Sequence, residues 1–402
     1  MNIINLIHLI RHKLHPLRLY LHYEPQRLLL FFYHFIPVKK TKLVFSNFSG
    51  KRCGDSPYAI FAYLQKKHPE WDFVWLSSPY YNPKIPEGAR SVPWRMKSSK
   101  MIYELATSSV WIESHLKPVY VSKRANQLFI QTWHGGISLK SDKMKAVSID
   151  ENEKQKRFLS FGKLPDYVIS DSKFTTENFK VNFFAKENCI EIGAPCDDIF
   201  FSNIDKNKIK EELKIPKEKK IVLYCPTWRD SGDVSCYNFD IDKLLSVLNK
   251  KFKDDWILLS RLHPLVMNEH HDLFKADNKK IFDVTKNEVI NELLYIADIL
   301  ITDYSGVMGT YMNTGRPIFL YQTDYEQYLN ERGISFTTDE LPFPVSNNEE
   351  ELFSSILNFD APVYDKKIKK FKSKLGFVEN NNATEKICKI IENFINTGRK
   401  EL

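Results

Sequence analysis

Short apolar runs alternate with amphipathic stretches from Lys42 onward, and this alternation restricts the fold more than any other feature of the sequence. Most runs are four or five residues long, are rich in β-branched and aromatic residues and are apolar on both faces. Such runs are typical of strands buried in a parallel sheet. The predicted strands are Leu43–Ser46, Phe73–Leu76, Val110–Glu113, Leu128–Gln131, Tyr167–Ser170, Cys189–Ile192, Ile221–Tyr224, Trp256–Ser260, Ile299–Thr302 and Pro317–Tyr321.

The stretches between these runs have helical spacing, for example Tyr58–Lys67, Ile241–Lys250, Asn287–Ala297 and Glu349–Leu357. Strands that alternate with helices predict a doubly wound α/β architecture. A chain of 402 residues is too long for one compact core and suits two domains of ordinary size.

The polar, lysine-rich residues 202–220 lie between two predicted strands and mark the best interdomain boundary. We therefore predict an N-terminal Rossmann-like domain over residues 42–201 and a C-terminal one over residues 202–402. The last predicted helix, Ala383–Thr397, could pack on either domain. Residues 1–41 form a separate segment of different composition.

Cysteine spacing and charge exclude several classes of protein. The six cysteines are scattered without a C-x-x-C pair, which argues against a disulfide framework or a zinc site and favours reduced thiols in the cytosol. No motif calls for a cofactor or a metal. Residues 1–41 hold six lysines and arginines against the single acid Glu24, so +5 of the net charge of +8 lies there. The rest is nearly balanced, which argues against nucleic-acid binding.

The basic residues 1–41 are also rich in apolar side chains at helical spacing. No run reaches the roughly 20 apolar residues that span a bilayer, and the order of apolar and basic residues differs from that of a signal peptide. We interpret the segment as peripheral, bound to anionic lipid on the cytoplasmic, inner face of the cell membrane. The alternative is a helical arm that packs on the domain or on a second subunit, which leaves a homo-oligomer open.

Unusual polar residues follow several predicted strands directly. Ligands of open α/β sheets bind beyond the carboxyl ends of the strands, so these residues are candidates for one site. The four strand endings are Thr132-Trp133-His134-Gly135-Gly136, Cys225-Pro226-Thr227-Trp228-Arg229, Arg261-Leu262-His263-Pro264 and Asp303-Tyr304-Ser305-Gly306.

The residue types at these endings suit a phosphate-bearing ligand. Arginine gives planar, bidentate contacts to phosphate, which makes Arg229 and Arg261 candidates, with His263 as a hydrogen-bond donor. Asp303–Gly306 is a strand-to-helix turn that could bind a diphosphate or merely cap a helix, and Thr285 precedes a second helix of the same kind. Two glycines leave space beside His134, whose imidazole could accept a proton from an attacking hydroxyl.

The same strand endings resemble the motifs of a known family. Gln131-Thr132-Trp133-His134-Gly135-Gly136 is similar to the Q-T-W-H-G-T-P-L-K motif of the CDP-glycerol glycerophosphotransferases, the teichoic acid primases and polymerases. Four further segments resemble motifs of that family in the same order, and the resemblance runs from about Lys42 to the C-terminal helix. These segments are Tyr224–Arg229, Arg261–Pro264, Ile301–Ser305 and Arg332–Pro344.

The resemblance implies a GT-B fold, with an active site between two Rossmann-like domains and the CDP part of the donor in the C-terminal half. Such enzymes transfer a polyol phosphate from a CDP-polyol to a hydroxyl of a lipid-linked or polymeric acceptor and release CMP, in teichoic acid or capsular polymer synthesis. It further implies His134 as the general base, and Arg229 and His263 as contacts of the diphosphate. The remaining candidates for substrate binding are Gly135, Gly136, Thr227, Arg261, Thr285, Asp303, Ser305, Gly306 and Thr310.

Departures from the family pattern leave the donor open. The family has Thr-Pro after His-Gly, a second Ser after Asp-Tyr-Ser and then a Phe-Asp pair, whereas this chain has Gly136-Ile137, Gly306 and Gly309-Thr310. The resemblance implies that the missing acid would contact the polyol of the donor. The alcohol that the CDP donor carries, whether glycerol, ribitol or another, therefore remains open. Two alternatives stand beside this reading. A GT-B glycosyltransferase that uses a nucleotide sugar would, if retaining, show two glutamates near the last Rossmann turn, whereas Asp303–Pro317 contains none. A non-catalytic, membrane-bound assembly factor would not need His134, His263 and Arg229.

Overall fold

The computed structural model describes residues 23–95, 97–118, 121–137, 139, 162–182, 188–229, 232, 234–262, 280–287, 289–379 and 382–401. Two parallel sheets dominate the fold, as the alternating pattern predicts. The first sheet has the order β3-β2-β1-β4-β5-β6-β7. Its strands are β1 (Lys39–Ser46), β2 (Asp72–Ser77), β3 (Arg90–Pro93), β4 (Ser108–Glu113), β5 (Leu128–Gln131), β6 (Tyr167–Ser170) and β7 (Cys189–Glu191).

The second sheet repeats this arrangement in the C-terminal half, with the order β10-β9-β8-β11-β12-β13. In both sheets the chain moves outward from a central strand, returns to the middle and continues outward on the other side, as in doubly wound folds. The strands are β8 (Lys220–Cys225), β9 (Trp256–Ser260), β10 (Ile281–Asp283), β11 (Ile299–Thr302), β12 (Ile318–Tyr321) and β13 (Val345–Ser346).

Helices cover both sheets, and several begin at an acidic or amide cap. Asp240, Asn348 and Asp360 each accept a hydrogen bond from a backbone N–H of the first turn that follows them. The described helices are α1 (23–33), α2 (Asp55–Lys67), α3 (Ser99–Thr107), α4 (Lys173–Asn182), α5 (Lys206–Glu212), α6 (Ile241–Phe252), α7 (Ile290–Ile296), α8 (Val307–Tyr311), α9 (Tyr325–Arg332), α10 (Glu349–Leu357), α11 (Ala361–Leu375) and α12 (Ala383–Thr397).

All ten predicted strands are present, and the three strands that the sequence did not indicate, β3, β10 and β13, lie at sheet edges. These three have two to four residues, and most of their side chains are partly or largely exposed. An edge strand buries little apolar surface, so it lacks the apolar run on which the prediction relied.

The C-terminal helix α12 packs on the N-terminal sheet, although the predicted domain 202–402 includes it. Its apolar face, which contains Ile387, Ile391 and Ile395, belongs to the same buried cluster as Leu43 and Ile60. A hydrogen bond from the backbone N–H of Thr384 to Asp198 ties the start of the helix to the N-terminal half. The chain therefore crosses back to its first domain at the end.

Residues 23–36 pack on the N-terminal domain with one face only. Tyr23 and Leu30 are buried, and Arg124 donates hydrogen bonds to the carbonyl oxygens of His34 and Ile36. The opposite face exposes four large apolar side chains, those of Leu28, Phe31, Phe32 and Phe35. The first 22 residues of the predicted segment 1–41 lie outside the described residues, and β1 already begins at Lys39. In the described part of the chain, no helix is long and apolar enough to cross a membrane.

Candidate active site

A cavity of about 470 Å³ lies between the two sheets, at the carboxyl ends of strands from both domains. Of the residues that the sequence singled out, eight line it and three do not. Arg229, Thr285 and Asp303 lie behind the wall, and His263 is outside the described residues. The eight that line the cavity are His134, Gly135, Gly136, Thr227, Arg261, Ser305, Gly306 and Thr310.

His134 follows β5 through a strained turn. Trp133 has a φ of +56°, a left-handed conformation that is unfavourable for a bulky side chain and is often found at functional sites. The His134 Nδ1 lies 2.6 Å from the carbonyl oxygen of Ser114, which can only accept a hydrogen bond. In the neutral ring Nδ1 therefore carries the proton, and Nε2 carries the lone pair that a general base requires.

The carbonyl that holds His134 is itself fixed by a buried network at the end of β4. Lys117 Nζ lies 2.7 Å from Glu113 Oε2, and both side chains are almost fully buried. The second oxygen of Glu113 accepts a hydrogen bond from the backbone N–H of His115. Burial raises the pKa of Glu113. These contacts fix the turn that contains Ser114. The hydrogen bond to the Ser114 carbonyl therefore also fixes the orientation of the His134 imidazole.

Gly136 allows a carboxylate to approach the turn after His134. A Cβ at Gly136 would lie 1.5 Å from Oδ2 of Asp171, whereas a Cβ at Gly135 would meet no atom within 4 Å. Asp171 follows β6 and accepts a hydrogen bond from the backbone N–H of Ile137 at 3.3 Å. The two neighbouring glycines therefore serve different purposes: Gly136 is required by packing, and Gly135 leaves space beside His134.

On the C-terminal side, Asp303 joins the turn after β8 to the turn after β11. Its carboxylate accepts hydrogen bonds from the backbone N–H and the hydroxyl of Thr227. It also pairs with Arg229 at 2.9 Å. Both charged side chains are almost fully buried. Asp303 therefore shapes the cavity wall from behind.

The guanidinium group of Arg229 is surrounded by acidic and aromatic side chains of the protein. The sequence instead predicted a direct contact between Arg229 and a diphosphate. Besides Asp303, its guanidinium pairs with Asp324 at 2.5 Å. It also lies 5.0 Å and 5.2 Å from the ring centroids of Tyr304 and Tyr328, within the range of a cation–π contact. A cation enclosed in this way stabilises the turn that presents Thr227.

Three other arginines, Arg52, Arg261 and Arg332, line the cavity. Arg52 comes from the N-terminal domain, and Arg261 follows β9. The charges of Arg52 and Asp55 both affect the pKa of Arg261. Burial, and then the charge of Arg52, lower the pKa of Arg261. The Arg261 Nε is buried without a hydrogen-bond partner among the described residues. Thr285 fixes this turn by accepting a hydrogen bond from the backbone N–H of Leu262. An anion between the arginines would relieve both their repulsion and the unmet donor.

Ser305 and Gly306 stand at the start of α8, which has five residues and continues into a 3₁₀ turn at Met312–Thr314. The Ser305 hydroxyl accepts a long hydrogen bond of 3.5 Å from the backbone N–H of Val307. Because the helix is short, its dipole is small, and the backbone donors of the turn are the more substantial feature.

Asp197, which the sequence reasoning missed, also lines the cavity. It is 8% exposed and follows β7, and its two oxygens accept hydrogen bonds of 2.9 Å from Asn291 and Asn313. Burial, and then the nearby charge of Asp171, raise its pKa to about 8. The strand-end rule would have found Asp171, which directly follows a predicted strand, whereas Asp197 lies five residues beyond one and carried no such signal. Among the described residues, no group of three or more metal-ligating side chains could hold a metal ion.

We expect Gly136→Ala to lower the thermal unfolding temperature and Gly135→Ala to leave it nearly unchanged. The new methyl group at residue 136 must displace the Asp171 carboxylate and break its hydrogen bond to Ile137, at a cost of about 1–3 kcal/mol. Differential scanning calorimetry of both variants measures the effect. Equal unfolding temperatures for the two variants would show that Asp171 does not require this close approach.

Asp197 should make stability fall as pH rises. Its pKa is about 8 in the folded protein and about 4 in the unfolded chain, so only the folded protein holds the proton between these values. Its stabilisation is complete below about pH 4 and is lost as pH rises through 8. Asp197→Asn removes this dependence, so the stability of the variant relative to the unsubstituted protein should rise by about 1 kcal/mol per pH unit from pH 5 to 8. Denaturant unfolding at several pH values measures this difference, and a constant difference contradicts the assignment.

Comparison with known proteins identifies the family of the chain. The family model described as CDP-Glycerol:Poly(glycerophosphate) glycerophosphotransferase matches residues 28–393. The teichoic acid poly(glycerol phosphate) polymerase of Staphylococcus epidermidis is 32% identical over 369 residues, which cover 88% of this chain and 51% of that protein. The protein of the same name from Bacillus spizizenii is 30% identical over 365 residues, 88% of this chain and 92% of that protein.

The chain thus spans about half the length of some relatives, including the teichoic acid poly(glycerol phosphate) polymerase of Bacillus subtilis, of which it covers 49%. A solved structure of the wall teichoic acid polymerase TagF matches with a TM-score of 0.79 at 29% identity, over 99% of both chains. The match over residues 28–393 confirms the resemblance seen in the motifs: the chain belongs to the CDP-glycerol:poly(glycerophosphate) glycerophosphotransferase family.

Proposed function

We propose that the chain transfers a polyol phosphate from a CDP-polyol to a hydroxyl of a membrane-linked acceptor and releases CMP, in teichoic acid or capsular polymer synthesis. The observation that carries this proposal is the cavity in which the oriented His134 faces Arg261 and the turn at Ser305. Membership of the family supports the same reaction. The two domains correspond to a GT-B arrangement, with an acceptor side and a donor side.

In the proposed step, the acceptor hydroxyl attacks the phosphorus that carries the polyol. His134 Nε2 accepts the hydroxyl proton, a new oxygen–phosphorus bond forms, and the bond from that phosphorus to the oxygen of CMP breaks. The hydrogen bond from Nδ1 to the Ser114 carbonyl stabilises the imidazolium that results. Such a displacement depends mainly on positioning and on stabilising charge, and no bound group beyond the donor is required.

We assign the diphosphate to the arginine side of the cavity. Arg261, whose Nε lacks a partner among the described residues, and the backbone donors at Ser305 and Gly306 would bind its oxygens. Thr227 would contribute its hydroxyl from the opposite turn. For Arg229 we propose an indirect role, because its ion pairs with Asp303 and Asp324 hold the turn that carries Thr227. His263 remains a proposed contact of the departing CMP.

His134→Ala should reduce the rate of CMP release by roughly 100-fold or more, since general-base catalysis contributes at least that much. Donor binding should be retained, because the imidazole belongs to the acceptor side. The assay measures CMP release from CDP-glycerol, CDP-ribitol and nucleotide sugars with lipid-linked acceptors.

His68→Ala is the matched control, because His68 bonds to Glu392 and does not line the cavity. It should keep the unsubstituted rate. An unchanged rate of CMP release from a CDP-polyol in His134→Ala would refute the assignment of His134 as the general base. No CMP release from any CDP-polyol by the unsubstituted protein would refute the proposed reaction.

We further propose that the protein works peripherally at the cytoplasmic face of the cell membrane. Leu28, Phe31, Phe32 and Phe35 form an exposed apolar face, which we call the arm face, and Arg27 lies beside it. Large exposed apolar patches mark interaction surfaces, and basic residues beside them favour anionic lipid. The rest of residues 1–41 adds five more basic residues to this segment.

Replacing Phe31, Phe32 and Phe35 by serine should reduce sedimentation with phosphatidylglycerol vesicles at least tenfold, since each aromatic side chain contributes about 1.5–3 kcal/mol when buried. The control replaces Val181 and Val363, which are equally exposed apolar residues of other helices, by serine. Unchanged sedimentation of the triple variant, together with a concentration-dependent change in mass, would instead assign the arm face to a second subunit.

A further inference from the structure

The cavity wall between the His134 turn and α8 contains a carboxyl group that the proposed mechanism does not use. Asp197 Oδ1 accepts a hydrogen bond from Asn291, and Oδ2 accepts one from Asn313, each at 2.9 Å. Both amides come from the C-terminal domain, whereas Asp197 lies in the 3₁₀ helix Pro195–Phe201, which follows the last strand of the N-terminal sheet. The carboxyl group is therefore held in a single orientation at the boundary between the two domains.

The position of Asp197 is defined by its neighbours on both sides. Asn313 also donates from Nδ2 to the backbone carbonyl of Thr310, a cavity residue of α8. On the other side, Asp171 joins the wall to the Gly136–Ile137 turn. Asp197 thus lies between the turn that carries His134 and α8, the helix that begins after the proposed diphosphate contacts at Ser305 and Gly306. The group attached to the reacting phosphorus must fit this part of the cavity.

The carboxyl group retains hydrogen-bonding capacity. Its two oxygens offer about four acceptor positions, and the amides occupy two of them, while the Cys196 thiol lies 3.5 Å from Oδ1. Burial raises the pKa of Asp197 to about 8, so the group is largely protonated at neutral pH. A neutral carboxyl can both donate to and accept from a hydroxyl. It also avoids the repulsion that a carboxylate would exert on a neighbouring diphosphate.

We propose that Asp197 binds the hydroxyl groups of the polyol carried by the donor and thereby determines which polyol the enzyme accepts, an inference that rests on the proposed function. Thr310 of α8 lines the cavity on the C-terminal side and offers only a hydroxyl group. Asp197 supplies a carboxyl group to the same wall from the opposite domain. Asn291 and Asn313 act as positioning residues, because their hydrogen bonds fix the orientation of the Asp197 carboxyl group.

The test compares ligands with and without the polyol. Binding of CDP, CDP-glycerol and CDP-ribitol is measured by calorimetry in the His134→Ala background, which prevents turnover. Asp197→Ala should weaken binding of the preferred CDP-polyol about tenfold, the value of a lost hydrogen bond to a buried polar group. Binding of CDP should change by less than about twofold, because CDP lacks the polyol, and its retention also shows that the donor domain is folded.

Two further variants separate recognition from structure. Asn313→Ala removes one of the aiming amides and should give a smaller loss that is again confined to the CDP-polyol. Asp198→Ala is the matched control, because its carboxylate accepts hydrogen bonds from the first turn of α12 and does not line the cavity. It should lower stability and leave the ratio of CDP-polyol to CDP affinity unchanged.

The inference is overturned if Asp197→Ala weakens CDP and CDP-polyol equally, which would make the residue a structural link between domains, or if it weakens neither. It is also overturned if the unsubstituted site binds a CDP-polyol no better than CDP. Failure of the proposed function has a different signature: a polyol-dependent affinity that is lost in Asp197→Ala, together with no CMP release by the unsubstituted protein.

Discussion

The chain enters the C-terminal core immediately after the turn that carries His134, and the arrangement of the site depends on this contact. Ile137 and Leu139 belong to the buried cluster of the second domain, and Leu139 accepts a hydrogen bond from the backbone N–H of Ser335. A Cβ at Gly309 would lie 2.3 Å from the carbonyl oxygen of Ile137. Glycine at residue 309 is therefore required by close approach, and it brings α8 against the turn that carries His134.

This contact divides the cavity into regions of different electrostatic character. The arginine side, with Arg52 and Arg261, combines cations with a buried donor that no described residue satisfies, so it favours an anion. The wall at Asp171 and Asp197 is acidic in composition, but burial raises the pKa of both carboxyl groups. Positive charge thus lies on the arginine side, whereas burial disfavours ionisation of the two carboxyl groups on the wall near His134.

The sequence predicted those strands correctly whose burial requires a continuous run of apolar residues. The central strands are apolar on both faces and were all found, whereas the short edge strands β3 and β13 lack such a run. The strand-end rule identified seven of the eight predicted cavity residues, and the family resemblance added Thr310. The strand-end rule could not distinguish Arg229 from Arg261, because both follow strands, and only the fold encloses one of them between Asp303 and Asp324. Nor could the amphipathic pattern of α12 reveal which sheet it covers.

The departures from the family motif gain a physical explanation when they are taken together. At Gly309 the Ile137 carbonyl occupies the space where a Cβ would lie, so a larger residue there would separate the helix from the turn that carries His134. That close packing places Thr310 and Asn313 within reach of the N-terminal wall, and Asn313 indeed binds Asp197. A carboxyl group at residue 310 would add a third acid beside Asp171 and Asp197, in a region where burial already disfavours ionisation. An uncharged residue at 310 and a buried carboxyl group at 197 are therefore compatible parts of one cavity wall.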